Sequence, residues 1–174
     1  MGRRNLLLVL AMGTASCQPA TTRTTLTPVP DALGSELRLS VPEATRRFAE
    51  SLRADSIPTG QVRLRDGYIE TPWFDARTLR PAGGIRPLGS RTVKIRAWAD
   101  PAKPGSTQLT VETVYRPLAD PSLPARELER QVVPTHPIAR KVESALGRLV
   151  ERYGTPPPPV EQPETAPATE GGNE

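Results

Sequence analysis

Few side chains in this sequence are suited to catalysis. His136 is the single histidine, so a Ser/His/Asp or Cys/His apparatus would have to use it. It lies in the stretch PTHPIA, where no nucleophile motif is near and Thr135 fits a helix N-cap. Asp66, Glu70 and Asp75 are close in sequence, and because two acids can meet in space, a hydrolase with paired carboxylates is an open alternative. The residues favour a protein that is not an enzyme.

The same scarcity argues against a resident metal or cofactor. One histidine and one cysteine cannot supply a zinc set, and one cysteine cannot form an intrachain disulfide. Gly83-Gly84 matches no larger phosphate-binding pattern. We therefore expect no cofactor and no metal site.

Cys17, the only cysteine, follows a three-part N-terminal segment. Residues 3–4 are arginines, residues 6–12 are a short apolar run, and residues 13–16 are small. This order predicts a secretory signal peptide that ends before Cys17. The apolar run is too short to span a bilayer, which needs roughly 20 apolar residues.

The residues around Cys17 resemble the lipobox of bacterial lipoproteins. Thr14-Ala15-Ser16-Cys17 stands where that family has Leu, then Ala or Ser, then Gly or Ala, then Cys. The resemblance implies cleavage before Cys17 and a diacylated thiol, a durable palmitate-type anchor, since one acyl chain alone binds only marginally. Gln18 stands where an Asp retains such proteins in the inner membrane, so the resemblance implies the outer membrane. We expect its periplasmic side, although Gln18 does not distinguish the two sides. An ordinary signal peptide followed by a free thiol is the alternative.

Composition divides the chain after the signal peptide, residues 1–16, into three parts. Residues 17–34 are rich in Thr and Pro, which predicts an extended tether that begins at the lipid anchor. Residues 35–154 should form one domain, and they carry 20 Lys/Arg against 14 Asp/Glu, a net charge of +6. Residues 155–174 contain four consecutive prolines and four glutamates, which predicts a disordered tail.

Hydrophobic periodicity predicts the elements of the domain. The alternation over residues 37–41 predicts a strand, and an apolar stripe over 42–54 predicts a helix that starts with a capping box of Ser40 and Glu43. A second stripe, from residue 138 to residue 153, predicts the last helix.

The remaining strands follow from turn signals. Asp66-Gly67 lies between two alternating runs, a strong signal for a two-residue hairpin turn that would pair Arg63 with Glu70 across the strands. Two further runs, 91–100 and 106–116, predict a second pair of strands.

The resulting order, β-α-β-β-β-β-α, favours an α+β fold with an antiparallel sheet of about five strands and two helices on one face. Residues 117–134 are interpreted as irregular, apart from one helical turn at 125–131. The other face of the sheet carries polar side chains and one tryptophan, and it is either open to water or a docking surface. These side chains are Arg63, Glu70, Lys94, Arg96, Trp98 and Glu112.

Four of these residues, Arg63, Lys94, Arg96 and Trp98, are candidate partner-binding side chains. An exposed tryptophan among basic residues is a common anchor for a partner, and partial burial of Trp98 at a sheet edge is the alternative. The net charge suits an anionic lipid surface, nucleic acid or an acidic protein, or marks only a solvated surface. Nucleic acid is disfavoured because an exported protein seldom meets it.

These observations lead to one functional hypothesis and two rivals. A small tethered domain without a catalytic set suggests a membrane-anchored interaction or assembly module of the cell envelope, which contacts another envelope protein through the polar face and the loop at 76–90. The order of elements loosely resembles the helix-grip modules of the C lipoprotein of the β-barrel assembly machinery. The rivals are a carrier with a small-ligand or lipid pocket between sheet and helices, and an unrecognised hydrolase.

Overall fold

The computed structural model describes residue 23, residues 25–82 and residues 88–154. These residues form an α+β fold, as the sequence predicts, with one seven-stranded sheet and two helices. The predicted signal peptide, the lipobox and the predicted tail lie outside the described residues. The elements are β1 (Leu33–Leu37), α1 (Val41–Ala54), β2 (Gln61–Arg63), β3 (Tyr68–Glu70), β4 (Phe74–Asp75), β5 (Thr92–Pro101), β6 (Thr107–Tyr115), β7 (Arg130–Gln131) and α2 (Pro137–Tyr153).

The sheet is built around its two long strands, β5 and β6. They pair antiparallel over nine positions, from Val93 opposite Tyr115 to Pro101 opposite Thr107. β1 lies beside β6, and β3 and then β2 lie beside β5, so the main order is β1-β6-β5-β3-β2. The short strands β4 and β7 pair with β5 and β6. Each has two residues, too few to leave an alternating pattern, which is why the sequence predicts only about five strands.

Both helices pack on one face of the sheet, as predicted, and the hydrophobic core lies between the two layers. The stripe of α1 buries Ala44, Phe48 and Leu52, and the stripe of α2 begins with the buried Ile138 and Val142. These side chains fill the layer in which the carrier hypothesis places its pocket. Alternate strand residues meet them from below, as the pleat requires. They include Val93, Ile95, Ala97, Leu109 and Val111, all buried as predicted.

The first strand differs from its prediction. β1 ends at Leu37 and α1 begins at Val41, so the strand predicted over 37–41 is wrong. Pro42 explains the early start of α1, because proline has the backbone angle of a first helical turn and needs no N–H there. Val41 then packs against the core from the helix instead of from a strand.

The predicted capping box of α1 is also wrong. Ser40 is the N-cap residue, but its side chain makes no capping hydrogen bond in the described structure. The Glu43 carboxylate pairs instead with Arg46 and Arg47, at 2.6 and 2.8 Å. These pairs, three and four residues apart, stabilise the exposed side of the helix rather than its first N–H groups.

The N-cap of α2 is His136 rather than the predicted Thr135. Nδ1 of His136 accepts a hydrogen bond from the backbone N–H of Ile138 at 3.2 Å. The other ring nitrogen, Nε2, lies 3.1 Å from the carbonyl oxygen of Ser90. The single histidine therefore has a structural role, in which it begins a helix and joins it to the loop before β5.

The predicted hairpin forms, but its register is shifted by two residues. β2 and β3 place Arg63 opposite Tyr68 rather than opposite Glu70, so the predicted cross-strand ion pair is wrong. Gly67 has a φ of 62°, and a Cβ there would lie 2.1 Å from the carbonyl oxygen of Ala99. The turn is therefore wider than two residues and packs directly on β5. Because the shift is even, each side chain keeps its predicted face.

Candidate functional site

The polar face of the sheet carries a row of alternating charges. Glu70 of β3 lies opposite Arg96 of β5, and Arg96 lies opposite Glu112 of β6. Residues at directly opposed positions point to the same face, here the one away from the helices. The guanidinium of Arg96 contacts both neighbours, with Nε 3.3 Å from Glu70 and Nη1 2.8 Å from Glu112.

The segment after β6, residues 116–129, folds over this row, and we call it the covering loop. Its Glu129 carboxylate lies 2.7 Å from Nη1 of Arg96. Its Arg126 guanidinium lies 2.6 Å from Glu112 and 2.9 Å from Glu129. Two cations and three carboxylates from four elements thus meet. We call Glu70, Arg96, Glu112, Arg126 and Glu129 the ion-pair cluster.

Residues 25–32, before β1, close another side of the cluster, and we call them the N-terminal strap. The backbone N–H of Val29 donates to Glu112 at 2.9 Å. The guanidinium of Arg126 donates to the carbonyl oxygen of Thr27. The described part of the predicted tether is therefore attached to the sheet, and β1 begins two residues before the predicted start of the domain.

The chain makes a further contact with the sheet just before the strap. Arg23 binds the carboxylate of Asp100, at the end of β5, with both terminal guanidinium nitrogens, at 2.6 and 3.2 Å. Both side chains are partly exposed, so this is a surface ion pair with two-point geometry, the arrangement in which arginine recognises a carboxylate most specifically.

The polar face is covered, and the prediction that it is open to water or a docking surface is wrong. Arg96 is 5% exposed, Glu112 0% and Trp98 1%. Trp98 packs on Tyr68, with ring centroids 5.9 Å apart. Because β5 is an inner strand, Trp98 is neither an exposed anchor nor a residue at a sheet edge.

The four candidate partner-binding residues do not form one surface. Arg63 lies on the edge strand β2 and donates to the side chain of Gln61 at 3.1 Å. Lys94 lies at the rim of the ion-pair cluster, with its ammonium 2.7 Å from Glu70. The other two candidates, Arg96 and Trp98, are buried, Arg96 against Glu129 of the covering loop and Trp98 against Tyr68.

Trp73 occupies the rim of the cluster on the side of β4. It is half-buried, and two cations lie over its ring, Lys94 at 5.4 Å and Arg116 at 4.8 Å from the centroid. Such contacts are attractive because the ring face is electron-rich. They hold the first residue of the covering loop against the strand side of the cluster.

The surroundings of Glu129 keep its carboxylate ionised. Burial works against the charged form, but hydrogen bonds from Arg96 and Arg126 outweigh it, so the pKa of Glu129 lies below its ordinary value of 4.5. Burial likewise opposes the charge on Arg96, and the hydrogen bonds to Glu129 and Glu112 raise the pKa of Arg96 above its usual range.

Glu70 is ionised for the same reason. Burial raises its pKa, but the Lys94 ammonium and the Tyr68 hydroxyl donate to its carboxylate, and the net pKa lies below 4.5. A general acid in a hydrolase needs a carboxyl whose pKa is raised toward neutrality. Glu70 and Glu129, which both contact Arg96, have lowered rather than raised pKa values. Carboxylates that stay ionised beside a guanidinium suit a structural role.

A groove with basic side chains lies at the other end of the sheet, where β5 begins. It has a volume of about 550 Å³, and Arg77, Arg91 and Lys141 line it. Asp75 pairs with Arg91 at 2.6 Å, which leaves the groove with a net positive charge. The described part of the loop predicted over 76–90 forms one of its walls.

Comparison with known proteins gives no relative from which a function could be proposed, so the proposed function depends on the arrangement of residues. No family model matches the chain, and a search of curated proteins finds no significant match. Within the described residues, no group of three His, Cys, Asp or Glu side chains could hold a metal ion. No helix among them is long and apolar enough to cross a membrane.

Sequence reasoning missed Arg126 and Glu129. The sequence pattern predicts an irregular segment over residues 117–134, with one helical turn at 125–131. A turn does form, with the N–H of Glu129 bonded to the carbonyl of Arg126 at 3.1 Å, but β7 replaces its last residues. The available signal was the dense alternation of Arg and Glu in RELER, residues 126–130. That signal indicates charge pairing without indicating with which strands.

Glu129→Gln tests whether the cluster holds the covering loop. The change leaves Arg96 buried with one anion fewer, and removing one partner of a buried ion pair costs about 3–5 kcal/mol. Because Glu70 and Glu112 still contact Arg96, we expect the low end, a loss of about 3 kcal/mol in the free energy of unfolding measured with urea. Glu127→Gln, at an exposed position of the same turn, is the matched control and should cost less than about 0.5 kcal/mol. Equal effects would contradict this role.

The lowered pKa values of Glu70 and Glu129 predict acid sensitivity. A carboxyl with a lower pKa in the folded protein stabilises it fully above the unfolded pKa, near 4.5, and this stability is lost as the pH falls. The free energy of unfolding should therefore fall below about pH 5, by at most about 1.4 kcal/mol per pH unit for each carboxyl. Urea titrations from neutral to acidic pH measure the fall, which should be shallower in Glu129→Gln. An identical fall in that variant and the wild type would refute the assignment.

Proposed function

We propose that this protein is a non-catalytic lipoprotein of the cell envelope, anchored through a lipidated Cys17, and that it acts as an interaction or assembly module for another envelope protein. The signal segment and the Thr14-Ala15-Ser16-Cys17 motif support the anchor, and Gln18 favours the outer membrane over the inner one. The ion-pair cluster supports a role without catalysis, because its charges attach chain segments to the sheet.

The observation that carries this proposal is the attachment of Arg23 to Asp100. Arg23 follows Cys17 by six residues, and six residues reach at most about 20 Å. With Arg23 bound 2.6 Å from the Asp100 carboxylate, a lipid on Cys17 would keep the Asp100 end of β5 within about that reach of the membrane surface. The domain would then be held close to the bilayer with one end toward it, rather than at the end of a long tether.

The length of β5 separates the two ends of the domain. Arg91 precedes Asp100 by nine residues, which in an extended strand is about 30 Å. The groove lined by Arg77, Arg91 and Lys141 therefore lies at the end away from the anchor. A groove with net positive charge at that end suits an acidic surface of a partner protein, because opposite charges steer association and fix its orientation.

Cys17→Ala tests the anchor. Cells grown with an alkyne analogue of palmitate should label the wild type, and the label should follow the membrane fraction, because only a thiol at this position can take the diacylglycerol. Cys17→Ala should lose both the label and the membrane association. Ser16→Ala, which keeps the thiol and moves the motif toward the family pattern, is the matched control and should be labelled at least as well as the wild type. Label on Cys17→Ala, or none on the wild type, would exclude a lipid at this residue.

Charge reversal at the distal groove tests the partner surface. Crosslinking in intact cells, followed by purification of the anchored protein, should capture an envelope protein with an acidic surface. Arg77→Glu with Lys141→Glu should abolish the crosslink, because both changes turn attraction into repulsion. Arg53→Glu with Arg152→Glu, exposed positions elsewhere on the helices, should leave it. A crosslink that survives the first pair, or is lost equally with both pairs, would remove the groove from the proposal.

A further inference from the structure

A small cavity beside the covering loop gathers exposed apolar side chains. Six large apolar side chains are exposed in the described part of the chain, and three of them, Leu88, Leu118 and Leu123, line this one cavity of about 210 Å³. Pro121, Leu128 and two alanines, Ala119 and Ala125, form the rest of its apolar wall. An apolar cavity of about 150 Å³ is large enough to accept benzene. This cavity therefore has room for a short hydrocarbon group.

One guanidinium stands at the cavity. Arg116 lines it, and among the described residues the buried Nε of Arg116 has no hydrogen-bond partner. Its Nη2 lies 3.3 Å from Glu129, but that carboxylate is shared with Arg96 and Arg126 at shorter distances. Arginine has five N–H donors, and a buried donor without a partner is unfavourable. The contacts of Arg116 with Glu129 and Trp73 therefore leave part of its hydrogen-bonding capacity unused.

Asp120 is the acidic residue of the cavity, and its contacts narrow the choice of ligand. Its carboxylate accepts hydrogen bonds from the N–H and the hydroxyl of Ser122, at 2.9 and 2.6 Å. Asp120 therefore belongs to the turn of the loop itself, and it repels an anion on that side. An acidic ligand group is favoured beside Arg116, with its hydrocarbon part against Leu118 and Leu123.

We propose that this cavity binds a small aliphatic carboxylate, whose hydrocarbon chain packs on the leucines and whose carboxylate pairs with Arg116. The volume restricts the ligand to a short chain, since pockets for drug-sized ligands measure about 300–1,000 Å³. The site lies on the covered face of the sheet, opposite the helices, and its formation requires neither the lipid anchor nor the basic groove.

Hexanoate is the probe that tests this site. It is titrated into the full chain carrying Cys17→Ala, which removes the lipid, and amide NMR follows each residue. We expect saturable shifts confined to residues 88–89 and 116–128, together with a change in the fluorescence of Trp73, whose ring lies 4.8 Å from Arg116. 1-Hexanol, which lacks the charge, and acetate, which lacks the chain, should each bind at least about tenfold more weakly, the weight of one charge-assisted hydrogen bond or of a short apolar chain.

Variants separate the two halves of the site. Arg116→Gln should weaken hexanoate binding by about tenfold and leave hexanol unchanged. Leu118→Ser, at a side chain already 52% exposed, should weaken both without loss of folding, whereas the matched control Leu64→Ser should change neither. Asp120→Asn should bind hexanoate at least as tightly as the wild type. Equal affinity for hexanoate and hexanol, no saturable shift, or equal effects of Leu118→Ser and Leu64→Ser would overturn the proposal.

Discussion

A guanidinium buried at the centre of the sheet is the constraint on which the polar side of this fold depends. Arg96 sits on an inner strand, where neither water nor an edge can take its charge, and an unpaired buried charge is prohibitively unfavourable. The register supplies Glu70 and Glu112 from the neighbouring strands. Two carboxylates around one guanidinium leave an excess of negative charge, which Arg126 of the covering loop offsets by pairing with Glu112. Glu129 of the same loop is a further carboxylate that pairs with Arg96.

The need to pair these buried charges explains why two segments outside the strands, the covering loop and the N-terminal strap, lie against the sheet. The covering loop has few periodic apolar residues, and it is held because its charges complete those of the strands. The N-terminal strap is held in the same way, since Val29 donates to Glu112 and Thr27 accepts from Arg126. A Thr/Pro-rich composition predicts a free tether, but backbone N–H and C=O groups can bind a charged cluster whatever the side chains are.

Patterns within single segments correctly predicted the helices and the long strands. They did not predict features that depend on contacts between residues far apart in sequence. The stripes of α1 and α2 and the inward faces of β5 and β6 follow from periodicities within single segments. The hairpin register, by contrast, depends on how Gly67 packs on Ala99, 32 residues away. The cluster joins Arg96 to residues 16 and 33 positions later and Val29 to one 83 positions later. Alternation identified the face that carries Arg96 and Trp98, but it contains no information on whether another segment covers that face.

The balance of charge in and around the cluster indicates which surface of this protein could attract a charged partner. The three carboxylates of the cluster, Glu70, Glu112 and Glu129, are matched by Arg96 and Arg126 within it and by Lys94 at its rim, so these six charges sum to zero. The excess of +6 in residues 35–154 is therefore carried by other side chains, among them those of the groove at the start of β5. Long-range attraction acts through exposed, unbalanced charge, whereas balanced buried charge acts only at contact distance. The interior arginines of this domain hold it together, and its exposed basic end is the part that an acidic partner would approach.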